Sequence, residues 1–341
     1  MKKVLCLALM VALAFTFVAC GAASAAGAVG YTGESYTLKI GTYFSGKQVG
    51  GEYAQEFSDK VAELSDGKIK IDVYQDMQLG SQSELTEALQ LGTVDFAPND
   101  FSMYDTVYGY KKGAIFGLPF VFASYENVWA FYQSEEFTQM KQELLDQYEV
   151  RTLSSATDGF RKLYAQVPVN NIDDMKKLKL RVPDISSYVD TFQALGCNTV
   201  IVPGAELYTS LQNGIVNSLE RPADGMYSNN LWEQTKYVIN TNHMLVDLHL
   251  FVSEKIFSKL DPAAQAVIIQ AGNDIGEYHF KYCQERDKKA LDALVNDCNQ
   301  QLIEFDTTQM KQICKEKVWT KYLKDIDGGQ KIIDKIESLA K

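Results

Sequence analysis

The sequence predicts an α/β protein of two similar lobes facing a shared cleft, and three observations carry that prediction. Strand and helix signals alternate in two separate stretches, residues 36–97 and 178–219. One pattern recurs in both stretches: Leu89-Gln90-Leu91-Gly92-Thr93-Val94-Asp95 is echoed by Leu211-Gln212-Asn213-Gly214-Ile215-Val216-Asn217. Each copy reads as a helix end, a glycine stop and a strand start. Third, a proline-initiated helix near the C-terminus is too long for one small domain. A length of 341 residues suits two domains at about 150 residues each.

Tyr36 to Gly41 reads as the first strand. Tyr53, Phe57, Val61 and Leu64 then fall on one helical face, and Gly67 stands where a helix stops. Ile69, Ile71 and Val73 alternate with polar residues, which predicts a second strand. Ser81-Gln82-Ser83-Glu84 is a capping-box pattern, opening a helix that ends before Gly92. Val94 to Ala97 follows as a strand. In the second stretch, strands are predicted at 178–182, 199–202 and 215–219, with helices at 187–195 and 205–212 between them. Strand-helix-strand order implies parallel pairing, with ligands beyond the carboxyl ends of the strands. Asp261-Pro262 caps and starts the long helix, and Ala264, Val267, Ile268, Ala271, Ile275 and Tyr278 keep its spacing. No strong breaker occurs before about Asn299, so a continuous helix runs about 55 to 60 Å and spans both lobes. Gly272 and Gly276 are its expected bend points.

Residues 1–25 stand outside this fold. Lys2 and Lys3 precede an almost wholly apolar run from Val4 to Ala19, the layout of a signal peptide. Phe17-Val18-Ala19-Cys20-Gly21 resembles a lipobox, which makes Cys20 the candidate lipidation site, although Phe17 is unusual there. Ala23-Ser24-Ala25 is the competing ordinary cleavage site, and an uncleaved anchor is the third reading. Either way the expected location is outside the cytoplasmic membrane: the periplasm or the membrane's outer face. No later run is long and apolar enough to span a bilayer. The net charge of −11 argues against binding phosphate backbones, so no nucleic-acid partner is expected. Cys197, Cys283, Cys298 and Cys314 match no metal or redox spacing and are expected as free thiols.

Motifs for catalysis mostly fail. Gly41 to Gln48 comes close to a phosphate-binding loop, but Gln48 replaces the hydroxyl that holds magnesium. A loop at a ligand cleft is the better reading. There is no Gly-x-Ser-x-Gly elbow and no His-Glu-x-x-His pair. Asp247 and His249 share a strand face, yet two ligands do not make a metal site. No enzyme, metal or cofactor is therefore expected. Two arginines stand out instead: Arg161 in Asp158-Gly159-Phe160-Arg161, and Arg181 in Leu178-Lys179-Leu180-Arg181-Val182-Pro183. Both lie within or at the end of apparent strands, where surface charge is not the default. A guanidinium grips a carboxylate through two parallel hydrogen bonds.

The segment from Asp158 to His243 resembles the DctP-type solute-binding subunits of TRAP transporters, the tripartite ATP-independent periplasmic carriers. Blocks occur in the family's order: Gln78-Leu79-Gly80-Ser81, Gly92-Thr93-Val94-Asp95, Gly117-Leu118-Pro119-Phe120, Ile172-Asp173-Asp174-Met175 and the segment around Arg181. Ala194-Leu195-Gly196, Glu206-Leu207-Tyr208, Trp232-Glu233 and Asn242-His243 continue it. The resemblance covers nearly all of the chain after about Ser35.

The resemblance implies a two-lobe clamshell like that of periplasmic binding proteins, with a long helix running across both lobes. It implies residues 35–158 plus about 247–286 as one lobe, and 159–246 plus about 287–341 as the other. It also implies a small organic acid between the lobes and delivery of that acid to TRAP membrane subunits. The family's signature arginine maps onto Arg181, which pairs with the ligand carboxylate, and a second maps onto Arg161. Asn99 and Asp100 fall at its acidic or polar position. This chain departs from the family at Glu220-Arg221-Pro222, where an asparagine is usual in place of Arg221. If Arg221 faces the cleft, a third positive group favours a more anionic ligand such as a dicarboxylate. If it points away, the usual contact is missing. Glu220 and Arg221 thus join the candidate binding set. Tyr43, Phe44, Phe101 and Tyr188 are candidate walls, with core packing the equal alternative for each. The solute classes left open are C4-dicarboxylates, sugar acids, sialic acids and keto acids. A receptor of an ATP-driven importer, a ligand sensor and a secreted enzyme are the rival readings.

Overall fold

The computed structural model describes residues 30–340. The leader and Cys20, with both cleavage readings, lie outside the described residues. The first half is built from β1 (Tyr36–Gly41), α1 (Val49–Leu64), β2 (Ile69–Tyr74), α2 (Gln82–Leu91), β3 (Phe96–Asn99), α3 (Phe101–Tyr108), α4 (Tyr125–Tyr132) and α5 (Glu135–Tyr148). A 16-residue strand, β4 (Val150–Ala165), leads into the second half. There β5 (Lys179–Val182), α6 (Ser186–Ala194), β6 (Asn198–Ile201), α7 (Leu207–Gln212), β7 (Ser218–Arg221) and α8 (Ala223–Ser228) follow. A 17-residue strand, β8 (Tyr237–Ser253), runs back to the first half. The chain closes with α9 (Glu254–Phe257), α10 (Pro262–Asn296), β9 (Gln301–Glu304), α11 (Thr308–Cys314), α12 (Thr320–Leu323) and α13 (Gly329–Leu339).

One nine-stranded sheet joins the two lobes, in the order β2-β1-β3-β8-β4-β7-β5-β6, with β9 on β8. The short strands pair in parallel within each half: β1 with β2 and β3, and β5 with β6 and β7. That is the pairing the strand-helix alternation predicts. The antiparallel pair β4–β8 crosses from one half to the other. It carries register shifts at Thr152/Ser154, Thr157/Gly159 and Arg161/Leu163. The first-lobe core packs Tyr53, Phe57 and Val61 of α1 against Leu38, Ile40 and Phe96, as the helical spacing of those residues requires. The second packs Leu180, Val182 and Phe192 against Leu163 and Ile239.

The repeated glycine motif has the same geometry twice. Gly92 and Gly214 are both left-handed, at φ +74° and +68°. Thr93 and Val94 donate back to Ala88 O, and Ile215 and Val216 donate back to Ser210 O. Those amides still serve the helix end, so each strand begins later than the apolar pattern suggests: at Phe96 rather than Val94, and at Ser218 rather than Ile215.

α10 is a single helix of 35 residues, about 52 Å long. It runs through Gly272 and Gly276 without interruption. Those glycines allow close approach to β4: a Cβ on Gly272 would lie 3.2 Å from Leu153 Cβ, and one on Gly276 3.1 Å from Ser154 Cβ. Asp261 caps the helix, its Oδ1 accepting from the Ala263 and Ala264 amides at 2.8 and 3.0 Å, while Oδ2 accepts from Glu34 N at 2.8 Å. Asp261→Ala is expected to lower stability by about 1 to 2 kcal/mol, read from the urea midpoint. Cys197, Cys283 and Cys314 are buried, Cys298 is half-buried, and all four are free thiols. Among the described residues no helix is long and apolar enough to cross a membrane.

Candidate functional site

A cavity of about 500 Å³ opens between the lobes at the carboxyl ends of the short strands. After β1, the turn at Tyr43 and Phe44 supplies two rings stacked at 4.1 Å. This turn belongs to the loop that imitates a phosphate-binding motif. It is closed by Gln48, whose side chain accepts from Ser45 N at 3.0 Å. Asp100 enters after β3, Asp158 and Arg161 from β4, Arg181 from β5 and Arg221 from the end of β7. Of the expected binding residues, the structure therefore brings Tyr43, Phe44, Asp100, Arg161, Arg181 and Arg221 to one cavity.

Asn99, Glu220, Phe101 and Tyr188 do not line it, which corrects the expectation for Asn99 and Glu220 and leaves Phe101 and Tyr188 to their alternative reading as core. Asn99 is fully buried and used up in positioning Gln82. Its side-chain nitrogen donates to Gln82 O and Thr86 Oγ1, and its oxygen accepts from Gln82 Nε2 at 3.1 Å. Gln82 in turn reaches Asp100 Oδ2 at 3.0 Å and lines the cavity. Phe101 is core, 5.3 Å from the rings of both Phe116 and Phe137. Tyr188 lies beneath Arg161, whose guanidinium stands 5.0 Å over its ring.

Glu220 is the buried partner of Arg161. Arg161 Nη2 donates to Glu220 Oε1 at 2.7 Å and to Glu220 O at 2.8 Å, and Nε donates to Oε2. His243 Nε2 stands 3.4 Å from the same carboxylate, with Nδ1 2.8 Å from Thr241 Oγ1. Burial pushes the Glu220 carboxyl up, but Arg161 and His243 outweigh it and hold the group below its ordinary range. Burial keeps His243 below its own ordinary value. Arg161 is thus a neutralised, rigid wall of the cavity.

Arg181 is built differently. Its Nε donates to Val202 O at 2.8 Å, which fixes the fork. Among the described residues its terminal nitrogens have no hydrogen-bond partner and no carboxylate pairs with it. Burial, with Arg161 and Arg221 adding to it, lowers its pKa to about 9. An anion at the fork would reverse that shift. Arg221 also faces the cavity. Its Nε is buried without a partner, and among the described residues its side chain makes no hydrogen bond or ion pair.

Three acids complete the electrostatics. Burial raises Asp100 well above its ordinary value, and neighbouring Asp247 adds to this. Burial also raises Asp247 to about 7 and Asp158 to about 8. Asp247 Oδ2 accepts from Phe101 N at 2.7 Å and stands 3.2 Å from His249 Nε2. Among the described residues no group of three His, Cys, Asp or Glu is placed to hold a metal ion. Sequence reasoning missed Gln82 and Asp158 as cavity residues. Asp158 sits three positions before Arg161, but nothing local shows that the sheet turns both inward.

The lobes also touch beside the cavity. Asp224 of α8 accepts from Val49 N at 3.3 Å and from Arg286 Nε at 2.7 Å. Arg286 reaches on to Glu52 of α1. Ser45 Oγ lies 3.4 Å from Asn229 Oδ1 across the same seam.

A continuous sheet with a cavity between two lobes, lined from strand ends and holding three arginines, defines a binding protein of the clamshell class. The chain belongs to the bacterial extracellular solute-binding proteins of family 7, the DctP family, whose model matches residues 40–325. These are the solute-binding subunits of TRAP transporters. The solute-binding protein RD1_1052 of Roseobacter denitrificans is 30% identical over 265 residues, covering 78% of this chain and 79% of that protein. The crystal structure of that TRAP periplasmic solute-binding protein with bound L-galactonate superposes with a TM-score of 0.80 at 27% identity. It covers 90% of this chain and 99% of its own. The sugar-acid-binding protein DctPAm of Advenella mimigardefordensis, in complex with galactonate, has the same fold. It gives a TM-score of 0.82 at 23% identity, covering 90% of this chain and 99% of its own.

Proposed function

We propose that this protein is the extracytoplasmic receptor of a TRAP-type transporter. It binds a sugar acid by its carboxylate at Arg181 and delivers it to the membrane subunits. The observation that carries this reading is the Arg181 fork: buried, fixed through Nε, and with free terminal nitrogens in the cavity. A carboxylate there gains two charge-assisted hydrogen bonds, each contributing about 1.5 to 3 kcal/mol. That supports micromolar binding with few further contacts. Tyr43 and Phe44 offer apolar faces to the carbon chain, and Gln82 and Asp100 offer polar contacts to hydroxyls. The relatives with galactonate bound support a sugar acid among the solute classes.

Binding biases the lobes toward closure. The lobe boundaries fall at residues 158/159 and 246/247. Support comes from the register shift between Thr157 and Gly159, where Gly159 pairs with Val246 at the middle of the crossing strands.

A thermal-shift screen of the purified protein tests the reading, using aldonates and uronates with matched neutral sugars and amino acids. The expected result is a rise in melting temperature with sugar acids alone, and recovery of the acid unchanged. A shift only with neutral solutes, or turnover of the acid, would overturn it.

A further inference from the structure

The carboxylate at Arg181 uses one free guanidinium of the cavity, and a second remains. Arg161 is neutralised by Glu220, but Arg221 has no hydrogen bond or ion pair among the described residues, and its Nε is buried. The position is built to hold it, because a Cβ at Gly225 would collide with its guanidinium. Beside it in the cavity lies Asp158, 4% exposed, with Oδ1 unpartnered. Among the described residues no hydrogen bond or ion pair joins the two side chains, and both residues line the cavity.

We propose that Arg221 forms a second anion subsite and that the solute is acidic at both ends, a sugar diacid in place of a sugar monoacid. This rests on the reading that Arg181 takes the first carboxylate. The Arg221 charge is already buried and unanswered in the empty site, and a monoacid would leave it so and gain nothing there. A second carboxylate answers it.

Asp158 decides when that subsite is open. The charged groups facing it are Arg221 from β7, Arg161 from its own strand, Asp224 from α8 and Asp287 from α10. Burial and Asp224 push its carboxyl up to about 8, against the pull of the two arginines. Asp287 adds to the push but is paired with Lys162 at 3.2 Å, and Asp224 is paired with Arg286. Below that pH Asp158 is a neutral acid whose O–H donates a hydrogen bond to a ligand oxygen and keeps its proton. Above it, Asp158 is an anion competing for Arg221, and binding a second carboxylate draws one proton onto it.

Calorimetric titration with matched acids of one carbon skeleton tests this: galactarate against galactonate, and glucarate against gluconate. In wild type at pH 7 at least one diacid is expected to bind at least tenfold more tightly than its monoacid. Arg221→Asn is expected to bring that ratio close to one. Between pH 7 and 9 the ratio should fall by up to tenfold, and Asp158→Asn should flatten it. Using the ratio cancels the titration of Arg181, which affects both acids. Monoacids binding as tightly as diacids, or a ratio unchanged by Arg221→Asn, would overturn the second subsite and leave the Arg181 reading standing. Binding of either acid that survives Arg181→Ala, or no binding of any of the four, would overturn both.

Discussion

Arg181→Ala is expected to weaken sugar-acid binding by at least ~100-fold, while the unliganded variant melts at or above the wild-type temperature. The first part follows from losing two charge-assisted hydrogen bonds at about 1.5 kcal/mol or more each. The second follows from the state of the empty site. Arg181 is buried, has no carboxylate partner among the described residues, and has its pKa lowered to about 9. A base whose folded pKa lies below its unfolded value costs the folded state wherever it stays charged, here at every pH below about 9. The unliganded fold thus sacrifices stability to hold a cation ready. Arg181→Lys should recover only part of the affinity, because an ammonium has the charge without the planar fork. Titration calorimetry beside thermal melts reads both quantities. A variant that binds within a few-fold of wild type would show that the carboxylate sits elsewhere.

Glu220→Ala is expected to be the most destabilising single change among the buried groups behind the cavity, by roughly 3 to 5 kcal/mol. It leaves Arg161 buried over Tyr188 with no counter-charge, and it strips His243 of a partner. Removing both charges, as in Arg161→Met with Glu220→Leu, should recover most of the loss, because an apolar pair of similar volume incurs no desolvation cost. The pH dependence has a definite sign. The Glu220 carboxyl is held below its ordinary range, so its contribution is present in full above the ordinary glutamate range, near pH 4.3. It is lost as pH falls through the lower folded value. Urea unfolding of wild type and the two variants at neutral pH and in acid checks both claims; equal midpoints for wild type and Glu220→Ala would mean the ion pair contributes nothing.

What was legible in the sequence was local. The capping box at Ser81, the Asp261-Pro262 start and the spacing of Tyr53, Phe57 and Val61 each depend on residues within a few turns of one another. All three appear as read. The strand starts at Phe96 and Ser218 were misplaced because amides after a glycine stop still bond the helix. The length of β4 and β8 was not legible, since Ser154, Ser155, Thr157 and Asp158 break the apolar pattern. Those residues are tolerated in the strand because β8 pairs with this segment across some ninety positions. The split between Arg161 and Arg181 is of the same kind. Each reads as an arginine in a strand, and only the antiparallel register of β4 on β7 puts Glu220 against one and leaves the other free.

The crossing strands also govern how the molecule can be made. Neither lobe is a continuous stretch of chain. The first-lobe strands β1, β2 and β3 wait for the far end of β8, where Phe96 pairs with Val252. The second-lobe sheet waits for the near end of β8 and for β9, whose Gln301 pairs with Tyr237. An N-terminal fragment of even 230 residues therefore holds half-built sheets with open edges, and such edges pair with other chains. Folding must follow near-complete synthesis, with contacts of large sequence separation closing late and slowly. The same topology puts the joint between the lobes inside the shared sheet, so it can form only once both β4 and β8 have been made.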